Sequence, residues 1–382
     1  MKILYASTRP PFPFFQGGAA RSAHYLMSIL SAEAEVGCLA VGSREFSGSN
    51  WALPPAADFP KLGISGVIEG GRSTTLQCGY EVKVLDDFAA ALASTIDEFS
   101  PDVVWAQLDG IDEVARIAHA RGTKVLVYLR DAEDTPSTLK SLAAAGCGFV
   151  CNSHFMAGHL GRLTGSQAQV IYPSLESSFG VQGDPHGTIT MINPFQVKGI
   201  DTLIEIARRM PEERFTIVES WTLSGPALQS LLDRLRELPN VSFQHRVPDI
   251  GSIYQRTKLL LVPSVWEEAF GRVAIEAQSC GIPVIASQRG GLPESVGDGG
   301  VCVADYLNPQ AWVQQIRRVL HDPAVYQALA GRALAHAADD RFTTRFAAQR
   351  MIDVCQDNAT FRRPVLAGPR NWLRRLLQRD AA

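Results

Sequence analysis

The residues Pro263-Ser264-Val265-Trp266-Glu267-Glu268-Ala269-Phe270-Gly271-Arg272-Val273-Ala274-Ile275-Glu276 concentrate side chains that can do chemistry. They follow the wholly apolar run Leu259-Leu260-Leu261-Val262, which reads as a buried strand, and they open a helical pattern within a few residues. The first amides of a helix have no intrahelical partner and lie at the positive end of its dipole, so a phosphate fits there. Gly271 lets backbone and ligand approach closely. Glu268 and Glu276 are eight positions apart, a rise of about 12 Å that returns to nearly the same helical face. Two carboxylates so spaced suit the hydroxyls of a ligand with a sugar at each end of a pyrophosphate. The plainer alternative makes Glu268 a first-turn acid favoured by the dipole and Glu276 an i, i+4 partner of Arg272.

Other positions add to this set. Gly290-Gly291-Leu292-Pro293-Glu294 reads as a glycine turn opening a helix. Lys198 stands just before a helical stretch, where it is either a phosphate partner or a solvated surface lysine. Gly17-Gly18 follows the first strand-like run and precedes a helix, which by itself also fits a plain turn. No Asp-x-Asp pattern ends a strand, so no divalent metal is expected.

These residues need elements to hold them. Strand-like runs at 2–7, 36–41, 102–107, 124–129, 149–152 and 169–172 alternate with helical stretches. The alternation restarts with runs at 188–192, 214–218, 241–243, 259–262 and 283–286. Fully apolar strands mark a parallel sheet covered on both faces, and two such series predict two doubly wound α/β domains. Ligands of such sheets bind beyond the carboxyl ends of the strands. We expect an N-terminal domain over 1–175, a C-terminal domain over 185–340, a helix at 341–358 returning toward the first domain, and a basic tail at 359–382. The segment 43–79 lacks periodicity and offers only short irregular strands. From Pro369 the tail combines Arg370, Arg374, Arg375 and Arg379 with Trp372, Leu373, Leu376 and Leu377. It is either a terminal helix or an amphipathic segment lying on an anionic membrane surface.

Glu268-x7-Glu276, then Cys280-Gly281-Ile282-Pro283-Val284-Ile285-Ala286, then Gly290-Gly291-Leu292-Pro293-Glu294, resembles the donor-site signature of retaining GT-B glycosyltransferases of family 4, the glycosyltransferase group 1 type. The match is continuous from about 240 to 299, with looser similarity from 2 to roughly 355. The resemblance implies a GT-B fold, two Rossmann-like domains facing a cleft. It implies that Glu268 holds hydroxyls of the transferred sugar and Glu276 those of the ribose. The amides near Phe270, Gly271 and Arg272 would face sugar and phosphates, and Gly290, Gly291 and Leu292 would add a second amide-lined turn. Met191-Ile192-Asn193-Pro194-Phe195-Gln196-Val197-Lys198-Gly199 looks like the family's opening of the second domain, with Lys198 neutralising the donor diphosphate. An Arg is common near Asn193 in the family; here Arg272 is the available substitute. Gly17 and Gly18 resemble the glycine loop beside donor phosphates and acceptor. Arg130 stands where the family often has His; it cannot act as a general base, but can bind a hydroxyl or an acidic group, or pair with Asp131. The family reads its base largely through backbone near Arg246 and Val247, and His245 replaces a common glycine.

The reaction so implied is retaining transfer of a sugar from a nucleotide-diphosphate sugar to a sugar or lipid-linked acceptor, in bacterial polysaccharide or glycolipid synthesis, without a further cofactor. Glu268, Lys198 and Arg130 would carry it. The rival readings are a catalytically silent nucleotide-binding partner subunit and a nucleotide-sugar epimerase or hydrolase. The formal net charge of -3 gives no basic field for nucleic acid. The 7 cysteines are scattered without a zinc pattern, as in a reducing compartment. No apolar run is long enough to span a membrane, so a cytoplasmic protein, peripheral on the membrane through its tail, is expected.

Overall fold

The apolar runs become strands of two separate sheets in the computed structural model of the chain. It describes all residues except 15–17, 34, 44–53, 71–72, 132–134, 176–178, 248 and 362–382. Gly17 and the basic tail from Pro369 therefore lie outside the described residues. The chain divides into two units. One holds Met1–Cys151, Ala157–Ile171 and the stretch from Ala348; the other holds Asn152–Met156 and Tyr172–Ala347.

In the first unit the described strands are β1 (Lys2–Ser7), β2 (Gly37–Ser43), β3 (Gly66–Gly70), β4 (Ser73–Gln77), β5 (Glu81–Leu85), β6 (Val103–Gln107), β7 (Lys124–Leu129), β8 (Gly148–Cys151) and β9 (Gln169–Val170). Their order is β3-β4-β5-β2-β1-β6-β7-β8-β9. The middle strands are parallel and buried apart from their first residues, and Val103-Val104-Trp105-Ala106-Gln107 is buried throughout. The helices are α1 (Gly18–Ala32), α2 (Phe88–Phe99), α3 (Ile111–His119), α4 (Pro136–Ala144) and α5 (His154–Thr164). The segment expected to be irregular instead extends the sheet: β3 and β4, and β4 and β5, pair antiparallel. β4 escapes a hydrophobicity reading because two of its three buried residues are Thr74 and Thr75, with Leu76 the one aliphatic residue among them. In β5 the alternation is present, with Val82 and Val84 fully buried.

The second unit has β10 (Thr188–Ile192), β11 (Phe215–Val218), β12 (Val241–Gln244), β13 (Thr257–Val262), β14 (Val284–Ser287) and β15 (Gly300–Val303), all parallel, in the order β12-β11-β10-β13-β14-β15. Its helices are α6 (Ile200–Arg209), α7 (Gly225–Leu235), α8 (Gly251–Tyr254), α9 (Arg272–Ser279), α10 (Leu292–Val296), α11 (Pro309–Leu320) and α12 (Pro323–Ala337), while α13 (Thr344–Gln356) starts in this unit and from Ala348 belongs to the first. Strand order reverses between β10 and β13, the switch point at which doubly wound sheets bind ligands. One face of the sheet packs on α6, α7 and α11 through Leu203, Ile206, Leu231, Leu235, Trp312 and Ile316. The other packs on α8, α9 and α10 through Ile253, Tyr254, Ala274, Ala277, Leu292 and Val296.

All seven cysteines are free thiols. Burial pushes Cys38, Cys147, Cys151 and Cys355 up to about 12, and Cys78, Cys280 and Cys302 up to about 11. Among the described residues no helix is long and apolar enough to cross a membrane.

Candidate donor site

Three loops of the second unit meet at the carboxyl ends of β10, β13 and β14, and glycines let them touch. A 3-10 turn, Gln196–Lys198, follows β10 and ends at Gly199, whose φ is +86°. A Cβ there would lie 1.9 Å from the carbonyl oxygen of Pro263 in the loop after β13. The same two loops are tied by the amides of Val265 and Trp266, which donate to the carbonyl of Val197 at 3.0 and 3.3 Å. The loop after β14 closes the group. Gly290 has φ +57°, and a Cβ on it would lie 2.2 Å from the carbonyl oxygen of Glu268. A Cβ on Gly291 would lie 2.4 Å from that of Ala269, and the Gly291 amide donates to Glu268 at 2.7 Å. The glycine pair is thus required by backbone contact with the Glu268 loop as well as by any ligand.

This packing fixes the charged side chains. Lys198 Nζ donates to Glu268 Oε1 at 2.6 Å, and Ser264 Oγ donates to the same oxygen at 2.6 Å. Glu268 is 9% exposed, so its charge is balanced mainly by Lys198. Gly271, with φ +92°, precedes α9. A Cβ there would strike Leu292 Cδ2 at 2.4 Å, which binds the start of α9 to α10. Phe270 is buried beside Tyr172 and Phe342, with ring centroids 5.4 and 6.1 Å away, so its side chain belongs to the core and only its backbone is offered to a ligand.

Glu276 lies further along α9. Its Oε1 is 2.7 Å from Arg272 Nε, and its Oε2 accepts from Tyr254 Oη at 2.9 Å. Burial, reinforced by Glu276, holds the Tyr254 hydroxyl well above its ordinary value, so it stays a donor. The i, i+4 pairing of Arg272 with Glu276 is therefore present, and it keeps both groups at one place on the helix.

At the ends of β11 and β12, Glu219 takes the Leu223 amide on Oε1 at 2.9 Å and faces His245 Nδ1 at 3.1 Å. The hydrogen bond from the Leu223 amide is the main reason its carboxyl lies below the ordinary value. Arg246 and Val247 follow directly, Arg246 exposed and Val247 half-buried. Trp221 lies in the loop after β11. Its amide donates to Asn193 Oδ1 at 2.7 Å, and Asn193 adopts a left-handed φ of +66° to offer it. Sequence reasoning missed Glu219, Trp221, Tyr254 and Ser264. For Glu219 a signal existed, an acid directly after a buried strand.

In the first unit, Arg130 directly follows β7. Its Nε donates to Gln107 Oε1 at 3.1 Å, and its guanidinium lies 3.5 Å from the centre of the Tyr128 ring. Gln107 itself donates to Tyr5 Oη and to the Ala19 carbonyl, both at 3.1 Å. Arg130 is thus held flat and aimed. Arg9, after β1, pairs with Asp109 at 2.5 Å. Gly18 is the first residue of α1.

Charged and glycine-bearing loops at the switch point of a parallel sheet define a ligand-binding α/β unit, and the comparisons with known proteins specify which. Residues 181–335 match the family of glycosyl transferases group 1. The D-inositol 3-phosphate glycosyltransferase of Segniliparus rotundus is 29% identical over 331 residues, 75% of this chain and 73% of its own. The D-inositol 3-phosphate glycosyltransferase 1 of Catenulispora acidiphila is 27% identical over 75% of this chain and 79% of its own. Among solved structures, Anabaena HepE in complex with UDP and glucose superposes with a TM-score of 0.74 at 18% identity, covering 93% of this chain and 99% of its own. Sucrose-phosphate synthase of Thermosynechococcus elongatus gives 0.72 at 17%, over 93% and 98%. The second unit thus carries the match to the group 1 glycosyl transferases, and the chain has the GT-B fold.

Proposed function

We propose that the enzyme is a retaining glycosyltransferase of family 4 that takes a sugar from a nucleoside-diphosphate sugar, with UDP the first candidate nucleotide. The observation that carries this is the pairing of Lys198 with Glu268 beside the Gly290-Gly291 turn. A diphosphate would take over Lys198 and a sugar hydroxyl would take over Glu268, so each charge exchanges one partner for another without being left bare. Glu276, held by Tyr254 and Arg272, would accept from the ribose. The first amides of α9, at Gly271 and Arg272, would face the diphosphate. UDP in HepE supports the choice of nucleotide.

In the reaction the acceptor oxygen bonds to the anomeric carbon as the bond from that carbon to the diphosphate oxygen breaks. The nucleoside diphosphate leaves with the electron pair and takes the acceptor proton. Lys198 stabilises the charge that builds on it. No protein base is needed, which suits an arginine at position 130. No metal or further cofactor is assigned a role.

The acceptor in this reading carries an acidic group such as a phosphate, bound by the first unit. Arg130, Arg9 and Arg21 lie at the carboxyl ends of its strands and the start of α1, and the relatives are named for D-inositol 3-phosphate. Synthesis of a bacterial glycolipid or polysaccharide at the inner face of the membrane, with the basic tail as the contact, completes the reading.

Thermal unfolding with UDP, GDP and ADP tests it. A nucleotide at about 100 times its Kd adds about 2.7 kcal/mol, which raises the transition by about 5–10 °C. Glu276→Ala should abolish most of that rise. A wild type indifferent to all three at millimolar concentration would instead favour a silent partner subunit.

A further inference from the structure

Trp221 is 45% exposed, the largest side chain among the exposed hydrophobic residues described. It is nevertheless firmly held. Its amide is fixed by Asn193, which holds a left-handed backbone conformation unfavourable for a non-glycine residue. Two residues later the loop is pinned again by Glu219 through the Leu223 amide. The indole meets Phe195 at 5.4 Å and Trp266 edge-on at 6.2 Å. Lys198 Nζ lies 4.8 Å from the centre of the Trp221 ring and 4.3 Å from that of Trp266. An exposed tryptophan on a rigid loop beside a charged pair is organised for a ligand, since neither core burial nor loop freedom explains it.

We infer that Trp221 and Trp266 form an aromatic ledge on which the transferred sugar ring of the donor stacks, making them determinants of sugar recognition. The position of the ledge selects this occupant. Glu276 and Tyr254 lie on the α8 and α9 face of the sheet, where the ribose is assigned. Trp221 enters from the loop before α7, and Lys198 from the loop before α6, both on the opposite face. The indoles flank Lys198 where it meets Glu268. A group attached to the diphosphate on the side away from the ribose is the sugar. Its C–H face is apolar and suits the negative face of an indole, while its hydroxyls turn to Glu268.

The inference rests on the donor-site reading, and one titration series separates the two. Calorimetric titration of the full chain is made with UDP and with UDP-glucose, or with the corresponding GDP or ADP pair where that nucleotide is the one that binds. For Trp221→Ala the sugar nucleotide should bind about fivefold more weakly, while the nucleoside diphosphate should change less than twofold, which also reports that the variant is folded. Trp221→Phe should recover most of the loss. Equal weakening of both ligands would mean that Trp221 acts only through Lys198 and would overturn the ledge, as would an unchanged sugar-nucleotide affinity. In the same series Glu276→Ala must weaken both ligands. If it weakens neither, the donor site is wrongly placed and the ledge falls with it.

Discussion

His24 lies in α1 against Phe12, with ring centroids 4.5 Å apart, and its Nδ1 is 2.9 Å from Tyr80 Oη. Burial lowers it to about 4, with Arg21 adding to the effect. The unfolded chain takes up this proton as pH falls through about 6.5, whereas the folded chain resists until about 4. Stability therefore drops across that window and levels off below it. Between pH 7.5 and 4.5 this one group should cost about 2–3 kcal/mol. Urea unfolding at both pH values should show His24→Gln losing less than the wild type by about that amount. An equal loss would mean that His24 is solvated when folded. Glu219 has the same sign at lower pH: its carboxyl is held low, so its contribution is present above the ordinary carboxylate range and is lost as pH falls through the lowered value.

The elements around the switch point depend on loops that interlock through missing side chains. Gly199→Ala places a Cβ 1.9 Å from the Pro263 carbonyl oxygen at a positive φ. The expected cost is about 2–4 kcal/mol, with loss of nucleotide binding, because the turn that carries Lys198 must move. Gly225→Ala, where a Cβ would meet nothing within 4 Å, should leave both nearly unchanged and serves as the control for thermal unfolding. The interlocking also explains what could be read beforehand. The apolar runs of β10, β13 and β14 gave themselves away, and the glycines and acids at their ends marked the site by spacing. The antiparallel β3 and β4 did not, because β3 buries no residue and two of the three buried residues of β4 are threonines, which carry no hydrophobic signal. Trp221 and Glu219 were hidden for another reason. Their importance comes from Asn193 and His245, 28 and 26 residues away in the chain, and no local period links such distances. Arg130 was noticed only as a departure, and its support by Gln107 and Tyr128 needed three adjacent strand ends to be brought together.

At the scale of the molecule there are two units, each with its own sheet and core, and the free thiols are shared between them. Cys38, Cys78, Cys147, Cys151 and Cys355 belong to the first, Cys280 and Cys302 to the second. With values pushed to about 11 or 12, only about one thiol in ten thousand or fewer is ionised at pH 7. Unfolding removes the burial and raises each thiolate fraction about a hundredfold or more. Alkylation by iodoacetamide, followed by mass spectrometry of each cysteine peptide, thus becomes a clock for the opening of the two halves. A nucleotide bound as proposed should slow the clocks at Cys280 and Cys302 and leave those at Cys147 and Cys151 running at their former rate. If all seven slow together, the halves open as one, and the chain's thermodynamic unit is larger than its architectural one.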